Sequence, residues 1–313
     1  PPFLRDLEAG RPEKSYEVEG YPDMAESPRP MWDLLDIKKY GSMAIQFSRG
    51  CPYDCDFCNV TALFGRRSRI KSSEQILGEL DSLYALGWRG EVFFVDDNFI
   101  GKKSFLKKDL LPALTEWRKG KIGNTFFTEA SINLADDGVL MEKMAEAGFN
   151  KVFIGIETPD NECLVECSKG QNENRDLAAD VRRIQRAGME VQAGFIVGFD
   201  HDGPSIFQRQ IDFIQKSGIV TAMVGLLQAP PGTRLFERMK EKGRLLGGSS
   251  GDNVDGTTNI IPAMGLDSLQ KGYHEILTQI YAPQQYYKRI KTFLREYRPP
   301  KIKGKIEFAH IKA

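Results

Sequence analysis

Between residues 44 and 242, short apolar runs alternate with longer segments whose apolar residues recur every three or four positions. The short runs, at 44–48, 91–95, 125–129, 151–156, 191–197 and 220–226, have the length and composition of strands. The segments between them, at 73–86, 103–119, 136–147, 175–187, 204–216 and 233–242, have the period of helices packed on one face. Several of these helices close on a glycine, as at Gly87, Gly148, Gly188 and Gly218, where a helix stop is expected. Six strand–helix units in series predict an α/β fold with a parallel sheet and helices packed outside it. An open doubly wound sheet and a partial barrel both fit that count. In either, reactive groups belong at the carboxyl ends of the strands.

The flanks read differently. Pro1, Pro2, Pro12, Pro22, Pro28 and Pro30 interrupt residues 1–43, so this stretch is expected to be an irregular lead-in with short helical pieces, as at 31–39. Residues 247–259 are rich in Gly, Ser, Asn and Asp, with no apolar period. Helical patterns follow at 266–281 and 283–297, and then a basic tail to Ala313. The expected organisation is a lead-in (1–43), a barrel or sheet unit (44–242), and a loop with a helical C-terminal extension (243–313), the start of a C-terminal domain.

Hydrophobic residues at 41% and charged residues at 27% give the balance of a soluble globular chain. Lys+Arg and Asp+Glu are both 43, so no overall field recruits nucleic acid, and none is expected as a partner. The most apolar stretch, 219–227, is about half of what a bilayer span needs. Of five cysteines, Cys51, Cys55 and Cys58 lie within eight residues. An odd, clustered set predicts reduced thiols in a cytoplasm, gathered around a metal, and not a disulfide framework.

The run Ser-Arg-Gly-Cys-Pro-Tyr-Asp-Cys-Asp-Phe-Cys-Asn (48–59) follows the first strand directly. A structural zinc site would need a fourth ligand, and His201, His274 and His310 are all far downstream. Three thiolates suit an iron–sulfur cubane that keeps one iron open. Gly50 and Pro52 let the loop turn tightly enough to direct three sulfurs together.

This loop, with Phe57 before the third cysteine, resembles that of the radical S-adenosylmethionine (SAM) superfamily. The resemblance implies a partial (β/α)6 barrel and a [4Fe–4S] cluster on Cys51, Cys55 and Cys58. It also implies that the open iron chelates SAM, which is cleaved to methionine and a 5′-deoxyadenosyl radical. Asp96-Asp97-Asn98 stands where many members carry Gly-Gly-Glu, so Asp97 and Asn98 are expected at the methionine ammonium; a helix N-cap is the plain alternative. Glu129 and Ser131 end the third strand. Glu157 ends the fourth, at the place of a ribose-binding residue. Arg175 resembles an arginine that some relatives aim at the SAM carboxylate. The fifth strand, Gly194 to Gly198, is similar to one in which Ile196 packs on adenine.

Weaker features have plainer readings. Cys163 and Cys167 fit core thiols. Arg66, Arg67, Arg69 and Lys71 fit a solvated basic turn better than an anion site, and the 283–297 helix fits ordinary packing better than a membrane-surface helix.

The runs Asp-Asp-Asn-Phe-Ile-Gly, Gly-Ile-Glu-Thr-Pro, Gln171-Asn172 and Pro231-Gly232-Thr233 narrow the resemblance. They are similar to a subgroup that joins an N-terminal cobalamin-binding domain to this barrel and includes the hopanoid C-2 methylases. On that resemblance, residues 1–43 are a linker and the full-length protein binds cobalamin. No Asp-x-His-x-x-Gly cobalamin motif occurs in this chain. The implied activity is cobalamin-dependent methylation of an unactivated carbon. The substrate would be a small molecule or a lipid, and the electron donor a flavodoxin or ferredoxin. A lipid substrate would put the cytoplasmic protein at a membrane surface. Radical rearrangement, cyclisation or oxidation without methyl transfer, and a non-enzymatic iron–sulfur scaffold, remain as alternatives.

Overall fold

A computed structural model describes residues 2–17, 20–252 and 254–299. Eight strands are present among them: β1 (Ser42–Ile45), β2 (Ser48–Arg49), β3 (Arg69–Ile70), β4 (Glu91–Phe94), β5 (Phe126–Ala130), β6 (Phe149–Glu157), β7 (Glu190–Val197) and β8 (Ala222–Leu226). Six form one all-parallel sheet in the order β1-β4-β5-β6-β7-β8. The sheet curls into half a barrel, so the partial barrel and not the open doubly wound sheet is the architecture. β2 and β3 make a separate antiparallel pair, which the apolar pattern does not reveal because each is only two residues long.

The two faces of the sheet are filled differently. Along β7, Val191, Ala193, Phe195 and Val197 are buried while the residues between them are half-buried. The buried set joins Val92, Phe94, Phe126, Val152 and Ile154 in a core shared with the surrounding helices. Each such Val, Ile or Phe side chain contributes about 1.5–3 kcal/mol through burial. The half-buried set faces the hollow of the half-barrel, where Phe93 and Phe127 stack at 4.5 Å.

The helices begin where polar caps allow. Ser72 and Gln75 exchange side-chain and backbone hydrogen bonds at the start of Ser73–Ala85, and Asp137, Asp176 and Thr233 cap three others. Gly87, Gly148, Gly188 and Gly218 all have positive φ. The expected helix at 103–119 is not uniform: a π-helical turn, Leu106–Leu110, separates Lys103–Phe105 from Leu111–Trp117. Pro112 has no amide hydrogen and its ring crowds the carbonyl four residues back, which accounts for the widened turn. The lead-in holds one short helix, Pro2–Glu8, and three 3-10 turns, of which Trp32–Leu34 and Ile37–Lys39 fall where a helical piece was expected.

Leu269, Tyr273, Ile276 and Ile280 of the helix Leu266–Tyr281 belong to the barrel's own core. The helix Pro283–Glu296 is fastened by Arg289, which is fully buried. Its guanidinium donates to Ile280 O (2.6 Å), Val220 O (2.9 Å) and Gln215 Oε1 (2.9 Å) between the rings of Tyr281 and Tyr286. Among the described residues no helix is long and apolar enough to cross a membrane. The basic tail after residue 299 lies outside the described residues.

Arg289→Ala should lower unfolding free energy by about 2–4 kcal/mol, since it strands one buried and two half-buried acceptors. Urea unfolding followed by circular dichroism measures this. An unchanged midpoint would show that the guanidinium does not hold the helix.

Candidate functional site

The loop that carries the three cysteines is fixed at both ends before any cysteine is reached. β2 and β3 pair Ser48 with Ile70 and Arg49 with Arg69, closing the loop at its base. The amide hydrogens of Phe47 and Ser48 go to the Asp96 carboxylate, and that of Gly50 to Asp97 Oδ2 at 2.7 Å. Burial pushes the Asp96 carboxyl up to about 7, although the amides of Ser48 and Phe47 pull the other way. Gly50 has φ +94°, and a Cβ there would stand 2.8 Å from Arg67 O. No other residue fits without moving the loop.

Cys51, Cys55 and Cys58 line one cavity of about 180 Å³ at the carboxyl ends of the strands. Burial raises all three thiols, Cys58 to about 11. Two of the sulfurs receive side-chain amides: Asn98 Nδ2 donates to Cys51 Sγ at 4.0 Å and Gln171 Nε2 to Cys55 Sγ at 3.7 Å. Among the described residues, no three His, Cys, Asp or Glu side chains close on one point as a single ion requires; the thiols stand around the cavity. Phe57 lines the cavity and meets Phe199 edge-on.

The other expected residues divide into two groups. Asp97, Asn98, Glu129, Ser131 and Glu157 all line the cavity with the cysteines. Asn98 does not cap the following turn with its side chain; its Oδ1 accepts from the Ser131 amide at 3.2 Å. Asp97 is occupied by the Gly50 amide. Glu129 has no hydrogen-bond or ion-pair partner among the described residues, and burial, with Asp97 nearby, pushes its carboxyl up to about 7. Ile196 packs instead among Phe57, Phe199 and Leu227 beside the cavity. Arg175 departs from expectation. It binds Asp136 (2.6 Å) and Asp180 (2.7 Å) and is not on the cavity wall. Asp136, from the preceding strand–helix unit, and Asp180, five residues on, have captured both edges of its guanidinium.

Glu157 is aimed by two local irregularities. The β6–β7 register shifts between Gly155 and Glu157, and Glu157 itself has φ +64°. Such bulges re-aim side chains next to sites. Its Oε1 lies 2.5 Å from Lys169 Nζ, with both side chains nearly buried. A Cβ on Gly155 would come within 2.3 Å of Glu157 Oε1 and 2.9 Å of Lys169 Nζ, so the ion pair occupies the space that glycine leaves. Burial works against the Lys169 charge, but Glu157 and Cys55 more than offset it and hold its pKa above the ordinary lysine value.

Sequence reasoning missed Lys169, Tyr53 and Asp56. Tyr53 also lines the cavity, and its hydroxyl accepts from Asn133 Nδ2 at 2.7 Å. Asp56 is held on both sides of the loop: its amide donates to Cys167 O (2.9 Å) and its carbonyl accepts from Leu235 N (3.0 Å). Its carboxylate meets Arg234 and Arg238. Lys169 did carry a signal, as the cation immediately before the Gly170-Gln171-Asn172 run.

The superfamily model described as "Radical SAM superfamily" matches residues 45–226, and a domain of unknown function, DUF4070, matches 233–313. An uncharacterised methyltransferase of Synechocystis is 42% identical over 99% of this chain and 58% of its own length. The hopanoid C-2 methylase of Rhodopseudomonas palustris is 38% identical over 85% of this chain and 50% of its own. The chain thus spans about half the length of these relatives. By structure it is similar to the methyltransferase TsrM from Kitasatospora setae, solved with cobalamin and a [4Fe–4S] cluster bound. That match has a TM-score of 0.60 and 16% identity over 89% of this chain and 57% of the other. This last likeness concerns the fold.

Lys169→Met should destabilise the protein by about 3–5 kcal/mol, because it leaves the Glu157 carboxylate buried and unpaired. Adding Glu157→Gln should restore most of the loss. Urea denaturation of both single variants and the double variant tests the coupling, and strictly additive losses would refute it.

Proposed function

The chain belongs to the radical SAM superfamily, and on that premise we propose that it is the cluster- and SAM-binding barrel of a cobalamin-dependent methyltransferase. The observation that carries the reading is the cavity shared by Cys51, Cys55 and Cys58 with the polar groups that end β4, β5 and β6. The methyltransferase names of the two relatives support the choice of reaction. Cobalamin would come from a domain joined through residues 1–43, with residues 243–313 beginning a C-terminal domain. The location would be the cytoplasm, and the substrate a small molecule or lipid.

The donor set fits a [4Fe–4S] cluster: three thiols, two of them already receiving amide hydrogens of the kind that stabilise thiolate charge. When bound, the cluster supplies one electron to SAM, releasing methionine and a 5′-deoxyadenosyl radical. The chain's own residues bind and orient. Glu129, the cavity carboxyl without a partner, is the acceptor for the methionine amino group. Asp97 and Asn98 hold the wall beside it through Gly50, Cys51 and Ser131. Glu157, fixed by Lys169, offers its remaining oxygen to the ribose hydroxyls. Phe57 and Ile196 supply apolar surface on the adenine side.

Anaerobic reconstitution should give about four iron and four sulfide per chain. Cys51→Ala, Cys55→Ala and Cys58→Ala should each lose the cluster, while Cys163→Ala and Cys167→Ala should keep it. A full cluster in any of the first three would remove that ligand.

Glu129→Gln and Glu157→Gln should each weaken SAM binding by about 1.5–3 kcal/mol, the worth of a hydrogen bond to a charged group. Equilibrium dialysis with labelled SAM reads this directly, and unchanged affinity would take the residue out of the site. With a cobalamin-loaded longer protein, SAM cleavage that yields no methylated product would favour radical chemistry without methyl transfer.

A further inference from the structure

The bulge at the end of β6 sets a bonding problem of its own. The β6–β7 register shifts between Gly155 and Glu157, and Glu157 has φ +64°, so the carbonyls of this stretch fall at an irregular point of the ladder. Two buried side-chain amides meet them. Asn172 Nδ2 donates to Gly155 O and Ile156 O, each at 3.0 Å. The next carbonyl, that of Glu157, accepts from Gln210 Nε2 at 3.4 Å, and the same nitrogen donates to Ile196 O at 2.8 Å. Three successive carbonyls of β6 are held by side chains.

Gln210 stands within the helix Ile206–Ser217, which joins the core through Ile211 and Ile214. It is fully buried. Its Oε1 has no hydrogen-bond partner among the described residues, and burial of an unmatched polar atom costs free energy. An apolar side chain of similar length would pack there without that cost. What Gln210 adds is one nitrogen that joins the last residue of β6 to Ile196, one residue short of the end of β7. On the cavity side these two residues have different surroundings. Glu157 lines the cavity and pairs with Lys169, whereas Ile196 packs among Phe57, Phe199 and Leu227.

We propose that Gln210 is a positioning residue for SAM. From a helix behind the sheet it sets the separation of Glu157 and Ile196, and so of the surfaces that receive the ribose and the adenine. It touches neither part of the ligand. Two carbonyls bound to one nitrogen cannot drift apart without breaking one of the two hydrogen bonds, so both surfaces are in register before SAM arrives and less ordering is needed on binding. The proposal rests on the reading of the preceding subsection that Glu157 meets the ribose.

The test is equilibrium dialysis of labelled SAM against the cluster-loaded protein, in three backgrounds. In the otherwise wild-type protein, Gln210→Met, which keeps the length and removes the donor, should weaken SAM binding by roughly five- to tenfold at unchanged iron content. Added to Glu157→Gln, the same change should cost a clearly smaller factor, because the contact it positions is already weakened. Added to Glu129→Gln, it should keep its full factor, because the clamp does not reach the methionine end. Gln210→Glu, protonated where it faces two carbonyls, retains one donor and should fall between Gln210→Met and the wild type. If Gln210→Met fails to hold its cluster, Gln210→Glu carries the same three comparisons. Unchanged SAM affinity on losing the donor, while Glu157→Gln weakens binding, would overturn the clamp. Equal factors in all three backgrounds would also overturn it, since general loosening does not single out Glu157. Unchanged affinity in Glu157→Gln itself would instead overturn the underlying ribose reading, and the clamp with it.

Discussion

Where β1 ends at Ile45, the chain leaves the sheet, and the amide hydrogens of Phe47, Ser48 and Gly50 lose the neighbour that β4 gives the residues before them. Buried amides must find acceptors. Here all three go to the side chains of Asp96 and Asp97, two and three residues beyond the end of β4. Two adjacent carboxylates thereby take over the work of a sheet ladder, at a place where the backbone must turn away from the sheet to present thiols. The position of the cysteines relative to β4 is set by this exchange. It also explains why Asp96 tolerates nearly complete burial: its charge is met by amides that have no other partner.

A second constraint follows from the hollow of the half-barrel. Side chains on that face are not covered by helices, and any charge there stands in a partly dry space. Glu157 and Lys169 neutralise one another across 2.5 Å, in space that the missing side chain of Gly155 provides. The pair is rigid because both ends are buried. The backbone of residues 155 and 156 is held from behind by Asn172 Nδ2, which donates to both carbonyls at 3.0 Å. The carboxylate is thus oriented before any ligand arrives, so less ordering is needed on binding. Glu129 contrasts with it. Among the described residues it has no such partner, and its raised pKa is what an unmatched carboxyl in the same hollow should show.

Much of this was legible in the amino-acid pattern. Six apolar runs at regular intervals gave the sheet, four glycines marked helix ends, and the cysteine spacing located the loop. What escaped were relations between side chains that only three-dimensional placement creates. Asp97 read as a ligand-facing acid, but the turn at Gly50 brings an amide to it first. Arg175 read as a reach toward SAM, but Asp136, on a neighbouring unit, and Asp180, in the helix that follows it, hold it. The pairing of Lys169 was hidden, since its partner is twelve residues earlier and meets it only through a bulge and a positive φ. The π-turn at Leu106–Leu110 is similarly invisible, because a helical period continues across it.

The cysteine loop also resolves a difficulty of the architecture. A six-stranded half-barrel leaves β1 and β8 as edges that do not pair with each other, and unpaired edges are exposed to unwanted partners and to splaying. Residues far apart in the chain bridge this seam. The carbonyl of Asp56 accepts from Leu235, and Arg234 binds Asp54 and Asp56, joining the loop after β1 to the helix after β8. Thr233 starts that helix by capping Phe236 N and donates its own hydroxyl to Pro230 O, so its first turn is fixed before Arg234 reaches across. The loop that carries the thiols is therefore also the element that ties the two edges together at the top of the barrel. Its conformation is constrained from β4 on one side, from Cys167 below, and from the last strand–helix unit on the other. The three sulfurs stand around the cavity because the protein holds the loop that carries them from three directions.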